Sequence, residues 1–96
     1  MITKLARYEV RREGVEKAVS ATKTFADEVR RKEGGTARYD VFHEAGDGTR
    51  FLHIMTFRVA SAEQYHEKTA WHKAFSEAMK PLLAKPVETV VAEPLV

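Results

Sequence analysis

The stretch VEKAVSATKTFADEVRRKEGG, residues 15–35, decides the architecture of this 96-residue chain. Val15, Ala18, Val19, Thr22, Phe25, Ala26 and Val29 recur at the i, i+3, i+4, i+7 spacing that gives a helix one apolar stripe. The spacing predicts an amphipathic helix over roughly residues 14–33. Gly34-Gly35 ends it, glycine being the residue that best accepts the backbone turn past a helix terminus. Arg30-Arg31-Lys32 falls in the last turn beside Glu28 and Glu33. Cations there are favoured by the helix dipole, and the cluster reads as a solvated face.

Outward from this helix, period-two alternation predicts strands. Residues 2–11 form the first, with Ala6, Tyr8 and Val10 opposed to Leu5, Arg7 and Glu9. Residues 36–43 and 50–59 form the second and third, joined by a hairpin loop over Glu44–Thr49 whose glycines supply positive φ. Ser61-Ala62-Glu63-Gln64 reads as a capping box opening a second helical region that runs to about Ala84 and is broken or bent near Thr69–Ala70. Residues 87–92 form the last strand. The order is β-α-β-β-α-β, a single α+β domain over residues 1–96 of the ferredoxin-like class. Right-handed crossovers then place the helices on one face of a four-stranded antiparallel sheet. The other face carries Leu52, Ile54 and Val90, an apolar surface that soluble monomers rarely keep bare. A homodimer packed through the open sheet face is expected.

Composition removes whole classes of chemistry. There is no cysteine, hence no disulfide scaffold, thiolate zinc site, iron–sulfur cluster or cysteine nucleophile. Sixteen Lys and Arg against 14 Asp and Glu leave a net charge of only +2, spread over mixed faces, and no nucleic-acid partner is expected. The RNA-binding domain that shares this element order carries a glycine in its third-strand motif, which residues 50–57 lack. No stretch matches a membrane span or a signal-peptide apolar core, so no membrane partner and a cytoplasmic location are expected.

The functional side chains concentrate in residues 65–75, YHEKTAWHKAF. One reading makes Tyr65, Trp71, Phe75 and Met79 core residues with the histidines at the edge. The other makes the gap between helix and sheet an aromatic pocket offering an imidazole able to move a proton near neutral pH. His66 and His72 are six residues apart, about 120° in azimuth on an unbroken helix, and could share a metal only if the helix bends between them. No metal site is expected.

Three local patterns, in this order, resemble one family. They are Glu33-Gly34-Gly35-Thr36-Ala37-Arg38-Tyr39 at the helix end, the third strand running through Phe57 into the helix that carries His66, and the stretch to Phe75 followed by Leu82-Leu83-Ala84-Lys85-Pro86. The chain resembles the antibiotic biosynthesis monooxygenase (ABM) domain family, quinol-monooxygenase-like members included. That resemblance implies a dimeric α+β barrel and oxidation of a small phenolic or quinol-like aromatic by dioxygen, with no cofactor. It makes His66 the candidate proton acceptor. Strand and helix parity make Tyr39, His53, Phe57 and Trp71, with His72 beside them, candidate substrate contacts. Met55-Thr56-Phe57 stands where family members commonly carry E-x-W, and the chain contains no asparagine, which sets it apart from heme-degrading relatives. The alternative is a non-catalytic small-ligand-binding or stress-related protein on the same scaffold.

Overall fold

In the computed structural model, which describes residues 1–46 and 48–96, the strands are β1 (Ile2–Glu9), β2 (Thr36–His43), β3 (Arg50–Phe57) and β4 (Glu88–Ala92). The helices are α1 (Val15–Lys32), α2 (Ala60–Lys68) and α3 (Ala70–Met79). All strand pairs are antiparallel, in the spatial order β2-β3-β1-β4, so the ferredoxin-like expectation holds. Asp47 of the hairpin loop lies outside the described residues; its neighbours Gly46 and Gly48 take φ of 137° and 79°, the conformation glycine was expected to supply.

Register puts Phe51, His53, Met55 and Phe57 of β3 beneath the helices, all buried. Their partners on that face are Tyr8 and Ala6 of β1 and Tyr39 and Val41 of β2. Phe25, Ala26 and Val29 of α1 pack on Tyr39, Met55 and Phe57, while Ala18 and Met79 pack on Tyr8, Val10 and Phe51. The opposite face carries Leu5, Leu52 and Ile54, bordered by exposed Phe42 and Val90. Arg7–Glu44 at 2.8 Å and Arg38–Asp40 at 2.6 Å lie toward its ends.

Several local expectations change. The first strand stops at Glu9, because residues 12–14 turn in a 3₁₀ segment, although Val10 keeps one bridge to Leu83. The second helical region is broken where the sequence places the break, into two helices. Thr69 breaks it with extended backbone (ψ 154°) and caps α3, its Oγ1 accepting from the His72 N–H at 3.1 Å. The capping box fails: α2 begins at Ala60 after an extended Val59, and no side chain caps it. α3 ends at Met79, and Lys80–Leu82 follow as a 3₁₀ turn. Tyr65 is no core residue, being 54% exposed. Arg30 is more than a solvated cation, since it donates to the Tyr39 carbonyl at 2.8 and 3.0 Å and ties α1 to β2. Arg31 and Lys32 pair one turn back with Asp27 and Glu28.

The helices do not cover the whole sheet. On β4, Val90 and Val91 are 57% and 61% exposed although they point to opposite faces. The gap between β4 and α3 leads to the cavity described next.

Candidate active site

A cavity of about 400 Å³ lies between the helices and the sheet. Tyr8, Phe25, Tyr39, Phe57 and Phe75 give it aromatic walls, and His53, His66 and His72 line it as well. Met79, Leu83 and Val87 continue the apolar lining, while Lys4, Glu63, Glu67 and Lys80 are its charged side chains, Lys4 pairing with Glu63 at 2.8 Å. A small aromatic molecule fits such a volume, and the apolar walls favour it.

The break at Thr69 assembles the site. It turns α3 relative to α2 and brings the His66 and His72 rings to 5.2 Å between centroids. The bend that a shared metal would need is therefore present. Even so, among the described residues no group of three or more His, Asp or Glu could hold a metal ion. The Phe25 ring stacks on Phe75 at 4.4 Å and lies 5.7 Å from His66, and Phe57 lies 5.2 Å from the same imidazole. Burial lowers the pKa of His72, and the charge of neighbouring His66 lowers it further.

His66 is oriented by a residue that sequence reasoning had placed only in a motif. Glu33, its side chain 1% exposed, sits where α1 ends and reaches back under α2. Its Oε1 lies 2.8 Å from His66 Nδ1 and accepts from the Thr36 hydroxyl at 2.8 Å, while Oε2 accepts from Trp71 Nε1 at 2.5 Å. Indole N–H is only ever a donor and the Thr36 hydroxyl donates as well, so an ionised Glu33 is acceptor-only and the hydrogen between it and His66 then sits on Nδ1. Nε2 is then the ring nitrogen free to accept a proton, on a ring that lines the cavity. A carboxylate holding an imidazole in one tautomer is the arrangement by which acid–base histidines are prepared. Its place at the head of the Glu33–Tyr39 pattern, an acid directly after a basic last turn and so against the helix dipole, is what marks Glu33 in the sequence.

His53 is held differently. Its Nδ1 lies 2.7 Å from the Tyr39 hydroxyl and its Nε2 2.8 Å from the Tyr8 hydroxyl, and Tyr8 reaches on to Thr22 Oγ1 at 3.2 Å. Burial, with the nearby His66, pushes the His53 pKa down to about 4, so the ring is neutral at pH 7. Burial also raises Tyr8 to about 12 and Tyr39 further. Among the described residues no buried side-chain nitrogen or oxygen lacks a partner.

Of the residues expected to contact substrate, Tyr39, His53, Phe57 and His72 line the cavity with His66. Trp71 does not. It packs outside, its indole bonded to Glu33 and covered by the Lys32 ammonium at 5.0 Å. Phe25, Phe75 and Tyr8 complete the walls; the sequence marked Phe25 as a stripe residue, Tyr8 as a strand residue and Phe75 as a core candidate.

Residues 1–78 match the family described as Antibiotic biosynthesis monooxygenase. The chain belongs to that family. Among curated proteins it is similar to "Putative monooxygenase YcnE" of Bacillus subtilis, 29% identical over 93 residues and 97% of each chain. Among solved structures it resembles "Putative antibiotic biosynthesis monooxygenase from Nitrosomonas europaea", with TM-score 0.93, 23% identity and full coverage of both chains. A second solved structure, of an antibiotic biosynthesis monooxygenase, also gives TM-score 0.93 over both full chains at 16% identity. At those identities the structural likeness speaks for the fold. Within this ABM domain, the matched span contains Glu33, His66 and every histidine and aromatic wall residue named above.

Proposed function

We propose that this ABM-family protein is a monooxygenase that oxidises a small phenolic or quinol-like aromatic with dioxygen, the electrons coming from the substrate itself. The observation that carries the reading is the Glu33–His66 pair: an imidazole held through Nδ1, with Nε2 left to the wall of an aromatic cavity. His66 Nε2 takes the phenolic proton. The resulting phenolate is electron-rich enough to reduce oxygen, and the aromatic walls hold it where water competes poorly. A carbon–oxygen bond forms on the ring at a position bearing hydrogen. Loss of water from that peroxide leaves the quinone. One oxygen atom enters the product and the other leaves in water, and the two protons the substrate loses, from the phenolic O–H and the ring C–H, balance the two that water gains. All four electrons that dioxygen accepts come from the ring. The uncovered apolar sheet face supports a homodimer as the working form.

Oxygen uptake with a panel of phenols and hydroquinones tests this, run under ¹⁸O₂ to find one labelled atom in the product and one in water. His66→Ala should lower the rate about 10²–10⁴-fold, the usual worth of a general base. Uptake no faster than in buffer across the panel would refute the activity. An unchanged rate in His66→Ala would remove His66 from it. Tight binding of phenols without turnover would instead favour a ligand-binding protein on this scaffold.

A further inference from the structure

The proposed reaction uses His66 and leaves a second buried polar chain without a role. That chain is Thr22 Oγ1, Tyr8 Oη, His53 and Tyr39 Oη, with successive separations of 3.2, 2.8 and 2.7 Å. Its two ends open on different spaces. Tyr39 lines the cavity, its ring 5.7 Å from His66. Thr22 lines a separate groove of about 200 Å³ between α1 and strands β2 and β3, beside Val19, Lys23 and His43.

We propose that Thr22, Tyr8, His53 and Tyr39 form a proton relay between this outer groove and the cavity. Neutral imidazole donates from one nitrogen and accepts at the other, so it passes a proton by exchanging tautomers. In one polarity Thr22 donates to Tyr8, Tyr8 to His53 Nε2, and His53 Nδ1 to Tyr39, whose own hydrogen is free for the cavity. When Tyr39 gives up that hydrogen, each group passes one proton forward, the groove supplies one to Thr22, and His53 ends protonated on Nε2. Each member gains one proton and loses one, and no electron moves. Burial suits this, because the low imidazole pKa and the high phenol pKa values keep every member uncharged while the proton passes. The ring stack of Tyr8 on Phe51 at 5.1 Å and 9° holds the middle of the chain in line.

The relay deepens the phenol-oxidising reading, and rests on it for its use. The oxygen adduct on the ring begins as a peroxide anion, and His66 has just taken a proton from the substrate on its own side. Tyr39 supplies a proton to the peroxide oxygen before water is lost, and His66 then releases the phenolic proton to solvent, so one proton enters through the groove and one leaves per turnover.

Two measurements test the relay, the first without any substrate. In the free protein, NMR reads exchange of the His53 ring N–H with water. Thr22→Val keeps the side-chain shape but removes the hydroxyl at the groove end. Exchange should slow at least about 10-fold in Thr22→Val and recover in Thr22→Ser, a smaller effect than the 10²–10⁴ for a whole acid–base group. Exchange that is unchanged in Thr22→Val, or that responds only to filling the cavity, overturns the relay. In turnover, Thr22→Val should lower kcat with KM unchanged and should raise the solvent isotope effect, again rescued by Thr22→Ser. A kcat and isotope effect equal to the parent's would overturn it too. Should the parent protein oxidise no phenol, the proposed reaction fails, while the exchange measurement still decides the relay.

Discussion

Lowering the pH from 7.5 to 5 asks the buried His53 ring to accept a proton with no anion beside it. Both ring nitrogens face tyrosine hydroxyls, and the residue is 2% exposed. In the unfolded chain the ring titrates near 6.5, and in the folded protein near about 4. Between those values the unfolded state holds the extra proton. Stability is therefore intact above about 6.5 and falls as the pH drops toward 4. Each unit of pKa shift is worth about 1.4 kcal/mol, so His53 alone should cost about 2 kcal/mol between pH 7.5 and 5 and about 3 kcal/mol by pH 4. His72, its pKa also lowered by burial, adds in the same direction. Urea unfolding followed by Trp71 fluorescence at fixed protein concentration reads the effect. With the usual slope of about 1–3 kcal/mol per molar urea, 2 kcal/mol moves the midpoint by about 1 M. His53→Gln retains a donor and an acceptor but does not titrate, so most of the loss between pH 7.5 and 5 should vanish in it. An equal loss in His53→Gln would refute the assignment to this ring.

Gly35→Ala should destabilise the protein by about 1–3 kcal/mol, because a Cβ there would meet the Ala62 Cβ at 2.5 Å, between two backbones with no flexible side chain to yield. Thermal melts should show it, with Ala62→Gly restoring the Tm; an unshifted Tm would show that the two segments separate freely. Thr69→Ala removes both the cap on α3 and the hydroxyl's 3.0 Å bond to the His66 carbonyl, and should cost about 1 kcal/mol. Loss of the ring contact between His66 and His72 should appear in the histidine NMR shifts, and unchanged shifts would separate the break from the cap. Ile54→Lys, in the middle of the open sheet face, should convert a dimer to monomer in sedimentation at micromolar concentration. A parent protein that is already monomeric there would refute the dimer.

Much of the fold was legible because it depends on periodicity. The α1 stripe from Val15 to Val29 and the alternation of Phe51, His53, Met55 and Phe57 against Leu52, Ile54 and Thr56 are local signals, and each element formed where its period lay. Helix starts moved where two local rules competed. Ser61 had the sequence of a capping residue, yet the helix had already begun at Ala60, while Thr69, in no recognised box, capped α3. Five of the six candidate site residues line the cavity: strand parity puts Tyr39, His53 and Phe57 on the covered face, and the break at Thr69 brings His66 and His72 together there. Trp71 falls outside because one broken helix turned its indole toward Glu33.

The sequence by itself determined the element order, the antiparallel sheet, the absence of thiol chemistry and the family, since these follow from composition and from patterns a few residues long. Tertiary structure decided which groups act together. Glu33 and His66 are 33 residues apart, His53 and Tyr8 are 45 apart, and only sheet register and the turn at Thr69 bring each pair within hydrogen-bond reach. The physical reason is range. Helix and strand preferences act over a turn or two of chain, whereas a buried carboxylate or imidazole is defined by whichever distant donors burial forces upon it.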